Sequence, residues 1–103
     1  AELIVLTGGN SADGLNYLNQ VRTRAGLKGY TECNIDNILN ERHLEFCGEG
    51  KRYFDLVRTG YAATTLVPDK YGYRTNSWTE SKKHIPLAQS ELDADPTLKQ
   101  NNY

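Results

Sequence analysis

The sequence predicts a mainly α fold: a helical hairpin (residues 1–26), a long helix, short helices and an irregular, loop-rich C-terminal segment. Apolar residues recur at helical spacing in two stretches of the first sixty residues. Gly8-Gly9 and Gly26 follow the two hairpin helices, and glycine accepts the left-handed backbone with which many helices end. Because the turn between these helices is short, they should pack as antiparallel neighbours.

The long helix is predicted over residues 34–60, with Thr31 or Asn34 as its cap. One broad stripe is expected along it: Ile35, Ile38, Leu39, Arg42, Phe46, Tyr53, Phe54 and Val57. Gly48 and Gly50 interrupt this stripe. Each glycine costs about 1 kcal/mol relative to alanine in a helix interior, so a kink or the close approach of another backbone is expected there.

Residues 61–103 are expected to form a loop-rich tail. A short helix should end before Pro68, and residues 69–83 should form a loop or a loose hairpin. Pro86 disfavours the helical region for the residue before it, so the chain should be extended there. One or two helical turns are expected in residues 88–93.

Composition limits the possible functions. A net charge of −1 favours neither nucleic acid nor an anionic membrane as a partner. The length of 103 residues predicts a single domain over residues 1–103, and the apolar content of only 38% predicts a core that is small or needs help from a neighbour. The chain opens on the apolar run AELIVL without a cap or a methionine, and is therefore interpreted as a fragment of a longer protein. It shows no signal peptide, lipidation motif or transmembrane run.

Acidic residues concentrate in the predicted long helix. Glu41, Glu45 and Glu49 are spaced to share one helical face, and paired carboxylates are the groups that hydrolyse glycosides. Catalytic acids usually converge from different elements, however, so an ion-paired stripe is the preferred interpretation. We expect Arg22 or Arg24 of the preceding helix to pair with Glu41 or Glu45 and to hold the two helices together.

The sequence gives little indication of a metal site or of a disulfide. His43 and Cys47 have the spacing of a helical ligand pair, but two ligands do not make a site. The other histidine is His84, and Cys33 is separated from Cys47 by about 20 Å if the intervening residues are helical. A disulfide requires Cα atoms within about 7 Å, so both cysteines are expected to be free thiols. No catalytic residue, metal site or cofactor is predicted.

Aromatic residues mark the candidate ligand site. Tyr71, Tyr73 and Trp78 lie in the polar loop segment, together with Arg74. Flat, amphipathic rings beside hydrogen-bonding side chains can stack on sugar rings and bind their hydroxyl groups. The alternative is that these rings anchor the loop on the helices.

Three segments resemble the C-terminal part of the SusD/RagB family, so the chain would be a C-terminal fragment of such a protein: LNYLNQVRTRAGL (15–27), ILNERHLEFCGEGKRYFDLVRTG (38–60) and KHIPLAQSELDADPTLKQNNY (83–103). They occur in the family's order and cover more than half of the chain. Leu87 and Asp95 depart from the family pattern, which has Ile and Asn at these positions.

The resemblance implies a tetratricopeptide-like helical scaffold, of which residues 1–26 would be the end. It also implies a lipid-anchored, surface-exposed outer-membrane protein that binds glycans, or sometimes peptides, without catalysis. Such proteins deliver nutrients to a TonB-dependent, SusC-like transporter. The lipid anchor and most of the binding surface would lie in the absent N-terminal part. The alternative is an interaction module that only docks the transporter and has no ligand site here, and an exposed apolar face on residues 1–25 would favour it.

Overall fold

The computed structural model describes residues 1–73, 75 and 77–102, and in these ranges the fold is mainly α, which confirms the predicted fold class. The helices are α1 (Glu2–Thr7), α2 (Ser11–Arg24), α3 (Ile35–Glu45), α4 (Arg52–Thr59), α5 (Ala62–Thr65) and α6 (Gln89–Ala94), with a 3-10 helix at Glu80–Lys83. No strand occurs in the described ranges. The chain divides into two compact units, an N-terminal unit (residues 1–55) and a C-terminal unit (residues 56–103). That residues 1–103 act as one domain stays a prediction.

Glycine ends both helices of the predicted hairpin, as expected. Gly8 follows α1 with φ +68° and Gly26 follows α2 with φ +72°, a conformation that side chains with a Cβ rarely adopt. Beyond Gly26, the N–H of Leu27 donates back to the carbonyl of Arg22 at 2.9 Å, which satisfies an orphan carbonyl of the last turn. Asn10 caps the start of α2, where its side chain accepts a 3.0 Å hydrogen bond from the first turn.

The N-terminal unit has the small core that its composition suggests. Its helices α1, α2 and α3 pack against one another. Leu18 of α2 and Ile38 and Leu39 of α3 are its buried apolar residues among those described. Asn34 caps α3, since its Oδ1 accepts a 2.8 Å hydrogen bond from the N–H of Asn37.

Gly14 lets the connector that follows α2 approach this helix closely. A Cβ at position 14 would lie 2.9 Å from Sγ of Cys33, a separation that real Cβ atoms do not show. The half-buried thiol of Cys33 therefore occupies the space that a larger residue in α2 would need.

Residues 34–60 form two helices rather than one long helix. The break falls where the sequence predicted an interruption, but it is complete, because α3 ends at Glu45 and α4 begins at Arg52. Gly48 and Gly50 have φ values of +84° and +69°, which no α-helix interior accommodates. The two glycines thus separate the helices instead of kinking one.

The break changes which residues of α4 are buried. Phe54 belonged to the predicted apolar stripe, yet it is 57% exposed. Leu56 was not part of that stripe and is only 2% exposed. A helix that begins again after a turn has its own rotational phase. The stripe that was continued from α3 through the glycines therefore placed Phe54 on the buried face of α4, although this residue is exposed.

The C-terminal unit is rich in loops, as predicted, and side chains of its tail hold the extended residues 85–87. Gln100 accepts from the N–H of Leu87 at 3.0 Å and donates to the carbonyl of the same residue at 2.9 Å. Asn101 donates to the carbonyl of Ile85 at 2.9 Å. In a sheet, a neighbouring strand would make these hydrogen bonds. Here the side-chain amides make them, so backbone groups of residues 85–87 have hydrogen-bond partners without a sheet.

Candidate functional site

Arg22 and Glu41 connect α2 to α3. Nη1 of Arg22 lies 2.7 Å from Oε2 of Glu41, a carboxylate that is almost fully buried. The same guanidinium donates from Nε to the carbonyl of Lys28 at 2.8 Å and lies 4.3 Å from the ring centroid of Tyr30. Its hydrogen bond to Glu41 raises the pKa of Arg22 above the ordinary arginine value. One side chain thereby fastens α2, the connector and α3 together.

A second ion pair joins the same two helices. Arg24 donates to the carboxylate of Glu45, with the arginine mostly exposed and the glutamate one third exposed. Glu41 and Glu45 are therefore both engaged by arginines of α2, in the arrangement suggested by the sequence. The prediction that Glu49 shares their helical face is wrong, because α3 ends at Glu45. Glu49 instead lies in the following turn, 3.0 Å from the ammonium of Lys51.

A third ion pair, between Arg42 and Asp55, was not predicted from the sequence. Asp55 accepts from Nε of Arg42 at 2.8 Å and from Nη2 at 3.0 Å, a bidentate arrangement between α3 and the first turn of α4. Asp55 is 4% exposed. Arg42 and Asp55 are 13 residues apart and lie on opposite sides of the break, so no helical spacing predicts that they pair. Only the acidic type of Asp55, in a segment rich in basic residues, indicated that it would have a basic partner.

Metal-binding residues do not gather at the histidine and cysteine candidates. His43 lies in α3, whereas Cys47 lies beyond the end of that helix and is exposed. They line a shallow cavity of about 310 Å³. Within the described ranges, no group of three or more His, Cys, Asp or Glu side chains could hold a metal ion. Cys33 and Cys47 are free cysteines.

Tyr71 and Tyr73 form a surface pair in the C-terminal unit. Their ring centroids are 6.4 Å apart and their planes are inclined by 43°. The residues are 71% and 92% exposed, so neither ring serves as an anchor for the loop. Oδ1 of Asp69 accepts from the N–H of Tyr71 at 2.8 Å and from the N–H of Tyr73 at 3.2 Å, which fixes the turn that presents both rings.

The other two candidate ligand-binding residues differ from this pair. Trp78 is half-buried, and its backbone N–H donates to the carbonyl of Leu66 at 3.1 Å. Its Nε1 is buried and finds no hydrogen-bond partner in the described part of the chain. Arg74 lies outside the described residues. The structure therefore brings Tyr71 and Tyr73 together, and it does not place the indole of Trp78 in ring contact with either of them.

No helix in the described ranges has the length and apolar character needed to cross a membrane. The longest, α2, has 14 residues, whereas a membrane span needs about 20.

Comparison with known proteins places the chain in a family. The model of the SusD family matches residues 1–103. Surface glycan-binding protein A from Bacteroides thetaiotaomicron is 60% identical, with a TM-score of 0.88 over 99% of this chain and 22% of its own. Surface glycan-binding protein A from the same organism in complex with laminarihexaose is 58% identical, with a TM-score of 0.84 over 97% of this chain and 22% of its own.

SusD-like protein P38 from Formosa agariphila is 39% identical over 66 residues, which are 64% of this chain and 12% of that protein. The chain thus spans between about one eighth and one fifth of the length of these relatives. The mainly α, tetratricopeptide-like architecture inferred from the sequence is that of the solved relatives. Since the family model matches every residue, this chain belongs to the SusD family.

Proposed function

We propose that this chain is part of a surface protein that binds glycans without catalysis and passes them to a TonB-dependent, SusC-like transporter. The observation that carries the proposal is the 58% identity, over 97% of the chain, to a surface glycan-binding protein solved with laminarihexaose. Attachment to the outer membrane would be through a lipid outside these 103 residues, as the family resemblance implies.

Within the chain, the exposed tyrosine pair supports sugar binding. Tyr71 and Tyr73 present large flat surfaces to solvent, and each carries a phenolic group that can hydrogen-bond a sugar hydroxyl. Arg74 follows directly in the sequence and would add donors. Trp78 is less exposed, so its contribution would come from the accessible part of the indole.

The ion pairs of the acidic residues support a binding role rather than a catalytic one. Glu41 and Glu45, the carboxylates spaced for glycoside chemistry, are both paired with arginines. A general acid needs an open path to the scissile bond. The carboxylate of Glu41 is instead almost fully buried, and both carboxylates accept hydrogen bonds from guanidinium groups.

Titration of the chain with laminarihexaose tests the proposal. Trp78 is the sole tryptophan, so a saturable change in its fluorescence, matched by heat in isothermal titration calorimetry, is the expected result. The Tyr17→Ala variant is the control and should bind laminarihexaose like the parent chain. Like the tyrosines of the candidate site, Tyr17 is more than half exposed, but it lies in the N-terminal unit. The absence of binding by both methods, and of retardation in gels containing laminarin, would refute a glycan site in this chain.

A second function, docking of the transporter without a ligand site, is favoured by one observation. Leu3 and Leu6 are 75% and 66% exposed and lie three residues apart, so they share one face of α1. Exposed apolar faces of this kind mark interaction surfaces. Co-purification with a SusC-like transporter that is lost in the Leu3→Glu/Leu6→Glu variant, together with no binding of laminarihexaose, would establish this function instead.

A further inference from the structure

We draw no further inference here: the strongest candidate, the apolar groove that Tyr17, Val21 and Phe46 line between α1, α2 and α3 of the N-terminal unit, carries nothing because nothing in the described part of the structure shows what covers it.

Discussion

Replacing Asp55 by asparagine should destabilise the N-terminal unit substantially. The wild-type carboxylate accepts two hydrogen bonds from the guanidinium of Arg42, at 2.8 Å and 3.0 Å. Asparagine has the same size, but it carries no charge and offers only one acceptor oxygen. Its amide nitrogen would face a guanidinium N–H, so one donor of Arg42 would lose its partner.

The expected loss follows from the burial of the two side chains. Breaking a fully buried ion pair costs about 3–5 kcal/mol, whereas a hydrogen bond to a charged group contributes about 1.5–3 kcal/mol. The side chain of Asp55 is 6% exposed, but that of Arg42 is 32% exposed, so water can solvate the charge left behind. We therefore expect the lower range, about 2 kcal/mol. In a chain of this size this lowers Tm by on the order of 10 °C.

Urea unfolding followed by circular dichroism measures this change. With a slope of about 1–3 kcal/mol/M, the midpoint should fall by roughly 1 M in the Asp55→Asn variant. Glu49→Gln is the matched control, because the pair of Glu49 with Lys51 is also close, at 3.0 Å, but both side chains are about half exposed. Its loss should stay below about 1 kcal/mol. Equal shifts in the two variants would refute the argument that burial decides the contribution of these pairs.

Two further substitutions test local packing and electrostatics. Gly14→Ala should destabilise the chain, since overpacking costs about 1–3 kcal/mol and outweighs the gain in helix propensity. Adding Cys33→Ala removes the clashing Sγ, so the double variant should be more stable in urea than Gly14→Ala alone; strictly additive effects would contradict this. Thr97→Val should raise the pKa of Asp95, which is held below its usual value mainly by the hydroxyl of Thr97. Because the folded pKa is lowered, the contribution of Asp95 exists above the unfolded pKa and is lost on acidification. An unchanged pKa in an NMR titration of the variant would contradict this cause.

Local signals in the sequence were sufficient for three of the helix ends. Gly8, Gly26 and Asn34 act where they were expected, because a left-handed turn or an N-cap depends only on the residue itself and its nearest neighbours in the chain. The family could also be inferred from sequence alone, since the three motifs occur together and in the family's order. The same holds for the basic residues of α2 and the acidic residues of α3, whose opposite charges indicated that these helices interact.

Tertiary structure alone decided three other features. The glycine turn between α3 and α4 resets the helical phase, so burial of Leu56 and exposure of Phe54 could not be read from residue spacing. The pairing of Arg42 with Asp55 depends on the path of the chain after that turn, and the spacing of residues in the sequence does not specify that path. The sequence placed Tyr71 and Tyr73 in one polar loop, but the turn that presents them depends on the hydrogen bonds accepted by Asp69 and on the positive φ of Gly72. Residue types determined which interactions were possible, and the geometry of irregular segments decided which of them formed.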